Sequence, residues 1–171
     1  MSAPSSPPVV LGIDPGLEGA LAFLDPSGVL EIHDMPTFAV TKSKRKEYVD
    51  LWAVRDLVRG RAIVHTYLEE VGSSPQMGVV SAFSFGGGYF GVQGVIISHD
   101  IALTTVRPGI WKTRMRAPAD KKQSVSRAKA LFPHCSELIG KKDGRAEAAM
   151  LALFGALELN MTPGIIRPCQ C

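Results

Sequence analysis

Cysteine is scarce in this chain. Cys135, Cys169 and Cys171 are too few and too clustered for a disulfide framework, and they lack the paired spacing of a structural zinc site. A reducing compartment is therefore expected, with the closing Cys-Gln-Cys as a frayed tail of no assigned role. No apolar run reads as long enough to span a membrane. The first eight residues, Met-Ser-Ala-Pro-Ser-Ser-Pro-Pro, have neither the apolar core of a secretion signal nor the arginines of a transit peptide. They are expected to be a disordered leader. What remains is ample for a core: 171 residues at 46% apolar composition suit one compact domain. We expect that single domain over 9–160, with 161–171 as a C-terminal tail.

The net charge is only +3, but it is unevenly placed. Between Arg107 and Arg145 stand eleven Lys or Arg against three acids, a local net of +8, so the rest of the chain is acidic. A charge run alone is more often just a solvated face. This asymmetry instead suits a surface that meets phosphates.

Residues 9–13 are all apolar or glycine and rich in β-branched side chains, the pattern of a strand buried on both faces. Asp14 ends that strand, held extended by Pro15 beside the open bend that Gly16 permits. A second strand is expected at 20–24. Asp25-Pro-Ser-Gly28 then fits a type I turn into a third strand at 29–33, which makes an antiparallel meander. Residues 36–47, with Lys42-Ser-Lys-Arg-Lys46, read as an exposed connection. Asp50 can cap a helix whose Leu51, Val54, Leu57 and Val58 share a face, with Gly60 as its stop. A strand at 63–71 follows, lying between helices as in a β-α-β unit. Glu69 and Glu70 must point to opposite faces of it, so only one can share a site with Asp14.

The stretch Phe83-Ser-Phe-Gly-Gly-Gly-Tyr-Phe-Gly-Val-Gln-Gly predicts a flexible loop entering a helix at about 88–98. Gly91 and Gly94 would let that helix approach a neighbour closely. A strand at 102–106, a basic segment 107–116, a helix at 121–132 and a final, almost wholly apolar helix at 145–159 complete the chain. The helix at 121–132 would carry Lys121, Lys122, Arg127 and Lys129 outward, with Val125, Ala128 and Leu131 inward.

Asp143 and Glu147, four apart at the start of the last helix, are the most informative pair. Each acid has an innocent reading: Asp143 as an N-cap, Glu147 as a first-turn acid, Asp14 as a turn residue, Glu69 and Glu70 as exposed strand ends. A capping box, however, would place the second acid at 146, which is alanine. Two acids on one helix face also repel unless a cation lies between them. Two metal ions cleaving a phosphodiester sit ~3.5–4 Å apart among several carboxylates. Magnesium favours oxygen ligands, so clustered Asp and Glu without His suit it. A strand acid, a second strand acid and a helix pair together form such a constellation.

That order, with Leu-Gly-Ile-Asp14-Pro-Gly, Leu-Glu69-Glu-Val, Phe-Ser-Phe-Gly-Gly-Gly-Tyr, Arg107-Pro, Trp111-Lys112, Asp120-Lys-Lys122-Gln-Ser-Val and Lys-Lys-Asp143-Gly-Arg-Ala-Glu147-Ala, resembles the RuvC-type Holliday-junction resolvases of the RNase H and retroviral-integrase superfamily. The resemblance runs from about 9 to 160 and is nearest in flavour to chloroplast and phage relatives. It implies an α/β, RNase H-like fold with a mixed five-stranded sheet, an antiparallel meander plus parallel strands, flanked by helices. It implies a homodimer that nicks two strands of a four-way DNA junction symmetrically, using magnesium or manganese at two ions per site and no nucleotide cofactor. Asp14, Glu69, Asp143 and Glu147 correspond to the catalytic, metal-holding acids, and Lys112 and Lys122 to basic residues beside the scissile phosphate.

Lys112, Arg114, Arg116, Lys121, Lys122 and Lys129 are the expected DNA contacts, with Phe85 and Tyr89 as candidates beside Phe83 and Phe90 for wedging the junction or for packing. A cytoplasmic setting, bacterial or phage, is implied, and an organellar one stays open. Two departures stand out: bacterial members end in two aspartates three apart rather than Asp and Glu four apart, and Gly72 replaces a common aromatic. A nuclease for other branched or RNA-containing duplexes, or a binding relative with idle acids, is the alternative. The Gly-Ile-Asp-Pro-Gly start also resembles the first phosphate loop of actin-like sugar kinases, but 171 residues leave no room for the second domain those require.

Overall fold

Two-residue periodicity in the first strand sets the architecture. In β1 (Val9–Asp14), Val10 and Gly12 face one side of the sheet while Leu11 and Ile13 face the other, and both sides are covered. These strands belong to a computed structural model that describes residues 7–40 and 47–161. The expected leader up to residue 6, the basic run at 42–46 and the expected tail from 162 lie outside them. β2 (Ala20–Leu24) pairs antiparallel with β1, and β3 (Leu30–Asp34) antiparallel with β2. The turn between them is the expected one: Asp25 Oδ1 accepts from the backbone N–H groups of Ser27 at 2.8 Å and Val29 at 2.9 Å.

β6 (Ile63–Glu69) and β7 (Leu103–Val106) add in parallel on the other side of β1, giving the order β3-β2-β1-β6-β7. The sheet is thus mixed and five-stranded, flanked by helices as expected.

On one face lies α6 (Asp143–Glu158), buried along almost its whole length by alanines, Met150, Leu151 and Phe154. It sits close because Gly12 leaves room: a Cβ there would overlap Ala148 O and Ala152 N of α6. Gly155 likewise lies flat against the Tyr67 ring. α3 (Pro108–Met115), α4 (Lys121–Leu131), a 3₁₀ turn (Pro133–Cys135) and the short α5 (Ser136–Ile139) surround α6, with Trp111, Phe132 and Ile139 fully buried.

The opposite face is covered by α1 (Leu51–Val58), capped as expected by Asp50 through the N–H groups of Trp52 and Ala53, and by α2 (Val79–Ser98). Here the sequence reading is corrected. The glycine-rich stretch is one continuous helix of 20 residues rather than a loop leading into a shorter one. Its glycines are used for approach: a Cβ on Gly91 would stand 2.7 Å from Leu51 Cδ1, and one on Gly88 3.1 Å from Val49 Cγ2. Tertiary contact outweighs the ~1 kcal/mol helix penalty of each glycine. Gly94, expected to serve the same end, has nothing within 4 Å.

Residue 79 being the true start also makes α2 long and apolar enough, by length and composition, to cross a membrane. The sequence reading missed this by treating the stretch as broken. Tyr89, Val92 and Ile96 pack one side of α2 on the sheet, while Val79, Val80, Phe83, Phe90 and Ile97 stand exposed on the other.

Two further differences concern small elements. The expected exposed connection contains a hairpin, β4 (Thr37–Ala39) with β5 (Glu47–Val49), in which Phe38 and Tyr48 stack at 5.9 Å. Its three-residue strands are too short to show a period. Cys135 is buried and disulfide-bonded, where the sequence reading expected no disulfide framework.

Candidate active site

Parallel pairing of β1 with β6 sets Ile13 opposite Leu68, so the next residues, Asp14 and Glu69, leave the sheet side by side at one end. Both belong to the face that α6 covers, since Asp14 shares the parity of Gly12 and Glu69 that of Tyr67. Glu69 is only 7% exposed, whereas Glu70 turns outward to Arg107 at 3.6 Å. The ambiguity between the two glutamates is therefore resolved toward Glu69. α6 begins over the same end of the sheet and brings Asp143 and Glu147 to it.

Asp143 is the first residue of α6, and the capping position belongs to Lys142, whose side chain makes no cap hydrogen bond. The capping reading of Asp143 is thereby set aside. The helix start is anchored by Asp34 at the end of β3. It accepts from Arg145 Nε at 2.6 Å, Arg145 Nη2 at 2.9 Å and Lys142 Nζ at 2.5 Å. Arg145 beside it holds the Asp34 carboxyl down at about 2. Gly144 permits this closeness, because a Cβ there would strike the Glu18 carbonyl. Asp34 escaped the sequence reading, since nothing local in residues 30–34 signals a partner more than 100 residues away.

The four acids feel one another. Burial pushes Asp14 up to about 6, opposed by the Gly16 N–H that donates to its Oδ1 at 3.2 Å and reinforced by the charges of Glu147 and Asp143. Burial also pushes Glu69 up to about 7, with Glu147 adding to the rise and Lys112 opposing it. Two lysines enter the cluster. Lys112 Nζ lies 2.7 Å from Glu147 Oε1 and 4.0 Å from Glu69 Oε1. Lys121 Nζ lies 2.6 Å from Asp143 Oδ2, which holds the Asp143 carboxyl below its usual range. Trp111, fully buried, donates its indole N–H to Glu69 Oε1 at 3.3 Å. Lys121 was expected only to touch DNA, and Trp111 had no expected role.

Because the two raised carboxyls hold their protons more tightly folded than unfolded, their contribution to stability is full below about pH 4. It is lost as pH rises through about 6 and about 7. Thermal unfolding in EDTA should therefore show Glu69→Gln gaining stability relative to wild type from pH 5 to pH 8. A difference that stays constant over that window would contradict the burial of this charge.

Among the described residues no three His, Cys, Asp or Glu side chains are arranged to grip a metal ion. The donor chemistry itself fits a hard divalent cation: all four donors are carboxylates, and their mutual repulsion is what such an ion relieves.

Other expected residues disperse. Lys122 and Lys129 join Lys121 and Lys141 around a cleft of about 440 Å³ that reaches Asp143. Lys122 is exposed there rather than placed among the acids. Lys141 had not been singled out. Arg114 and Arg116 are exposed at the end of α3, Arg116 in the left-handed region at φ 53°. Phe85 is half-buried in a cleft of about 490 Å³ with Pro15, Leu17 and Tyr48. Tyr89 is corrected: it is buried against the sheet at the spacing of Val92 and Ile96, so it packs the core rather than facing DNA.

No family model and no curated protein matches this sequence. Solved structures do. The chain is similar to Thermus thermophilus RuvC in complex with a Holliday junction substrate, at 15% identity and a TM-score of 0.62, covering 91% of this chain and 97% of that one. It is similar also to a structure of Thermus thermophilus RuvC by itself, at 16% identity and a TM-score of 0.57, covering 90% and 96%. At such identities the likeness establishes the fold, which is RNase H-like.

Proposed function

We propose that this protein is a metal-dependent endonuclease that resolves four-way DNA junctions by paired, symmetric nicks. One observation carries the reading: Asp14 and Glu69 on neighbouring parallel strands meet Asp143 and Glu147 of α6 at one end of the sheet, beside a lysine-lined cleft. The likeness of the whole chain to a RuvC structure that holds a Holliday junction supports the choice of substrate.

The four acids would hold magnesium or manganese, two ions per site, which when bound activate water and stabilise the leaving oxygen. The chain's own residues do the rest. Trp111 orients Glu69 through its indole N–H. Asp34 fixes the start of α6, and with it Asp143 and Glu147, through Arg145. Lys121, Lys122, Lys129 and Lys141 line the cleft where a phosphate backbone would approach Asp143, each as a mobile point charge suited to position rather than to sequence. Arg114 and Arg116 extend the basic surface past α3.

A second copy of the chain supplies the second nick. It would cover the outer side of α2, where Val79, Val80, Phe83, Phe90 and Ile97 stand exposed on one face. A monomer in sedimentation velocity, with and without junction, would remove that part of the reading.

The decisive assay compares a four-way junction, a plain duplex and an RNA–DNA hybrid with magnesium. Nicks at symmetric positions confined to the junction are expected. Equal cutting of the duplex defeats junction selectivity, preferred cutting of the hybrid moves the function to RNA-containing substrates, and no cutting of any points to a binding protein.

A further inference from the structure

In this structure Lys112 stands where a cation is wanted. Its ammonium bridges acids from two elements, Glu147 of α6 at 2.7 Å and Glu69 of β6 at 4.0 Å. It comes from α3, which contributes none of the acids itself. Its Nζ lies 5.1 Å from the centroid of the neighbouring Trp111 ring, whose N–H holds Glu69 in place. The lysine side chain is 28% exposed, so its four-carbon stem can carry the ammonium outward without unpacking the core. We propose that Lys112 is the resident counter-cation of this cluster: it holds the space between Glu69 and Glu147 until a divalent ion arrives, and then transfers to a DNA phosphate. The inference rests on the nuclease reading above and adds to it a coupling between substrate and ion.

The physical reason is charge balance. A divalent ion held by Glu69 and Glu147 would repel the Lys112 ammonium and compete with it for Glu147, whose Oε1 it now holds at 2.7 Å, so entry of the ion would favour displacement of Lys112. A displaced ammonium needs another anion close by. A phosphate drawn in by the neighbouring lysines of the cleft is the partner that restores a charge-assisted hydrogen bond. Ion and DNA then bind with positive coupling, and by linkage each raises the affinity of the other by the same factor. The ion is thereby discouraged from settling in a free enzyme and favoured in one that already holds a backbone.

Manganese binding tests this without relying on cleavage. Free Mn²⁺ is counted by electron paramagnetic resonance at 4 °C, for the protein alone and with a four-way junction, after subtraction of the ions bound by the junction itself. Wild type should bind manganese roughly fivefold or more tightly when the junction is present. Lys112→Met should bind it tighter than wild type without DNA, and should gain less than about twofold from the junction. Lys112→Arg, which keeps a charge on a long stem, should behave like wild type without DNA.

If Lys112→Met gains as much from the junction as wild type does, the lysine acts only as a nearby charge, and the proposal fails. It fails too if Lys112→Met binds no more tightly than wild type without DNA. Wild type that takes up no manganese in either condition would instead overturn the metal-dependent reading itself. Circular dichroism of the variants confirms that they are folded, and should the methionine one unfold, Lys112→Gln, which also removes the charge, is held to the same two criteria.

Discussion

Glu147→Gln should leave a folded protein that no longer cuts a four-way junction in magnesium, with single-turnover nicking reduced on the order of 10³-fold or more, about 4 kcal/mol of transition-state stabilisation. Glutamine keeps the shape of the side chain and can still accept from Lys112 Nζ, which now stands 2.7 Å away. The fold should therefore survive, and the melting temperature should stay within a few degrees of wild type. What is lost is one negative charge from a cluster in which Glu147 bears on both Asp14 and Glu69. Asp14→Asn should behave in the same way. A nicking rate within about tenfold of wild type in either variant would show that the acids are not the metal-holding set.

Gly12→Ala should have the largest effect on stability. The added methyl would overlap the backbone of α6 at Ala148 O and Ala152 N, and neither atom can rotate aside as a flexible side chain would. The helix would have to lift from β1 along their shared seam. Overpacking of this kind costs about 3 kcal/mol or more, a large part of a typical total of 5–15 kcal/mol. For a chain of this size that corresponds to a fall of roughly 10 °C in melting temperature. Cleavage should fall with it, because Asp14 lies two residues beyond Gly12 and Glu147 adjoins Ala148. A melting temperature unchanged by this substitution would contradict the packing of α6 on β1.

Both expectations depend on features that differ in how far the sequence displays them. The all-apolar 9–13 run, the Asp25-Pro-Ser-Gly28 turn and the Asp50 cap are local signals, and each element appears where those signals place it. The acids at strand ends and helix start were legible for the same reason: an ionisable side chain next to an apolar run is conspicuous within a few residues. The parity rule reduced Glu69 and Glu70 to one candidate but not to which, because parity counts faces without saying which face α6 occupies.

Where local preference and tertiary contact disagree, the latter prevails. Gly86, Gly87 and Gly88 predict a broken helix, yet α2 runs through them because Gly88 and Gly91 settle against Val49 and Leu51. That continuity is also what turns Tyr89 inward. Period-2 signals need more than the three residues that β4 and β5 offer, so the hairpin could not be read in advance.

The sequence by itself determined the five strands of the main sheet, the helices that follow Asp50 and Asp120 and the apolar last helix, the acids at 14, 143 and 147 with one of the 69/70 pair, and the basic segment beside them, because each is written in neighbours along the chain. Only the tertiary structure decided that Asp34 anchors α6 through Arg145, that Trp111 orients Glu69, and that Lys112 and Lys121 lie on the acids rather than apart from them. These pairings join residues from 22 to 111 positions apart, and strand register and the close approach of α6 allowed by Gly12, not periodicity, bring them within a hydrogen bond.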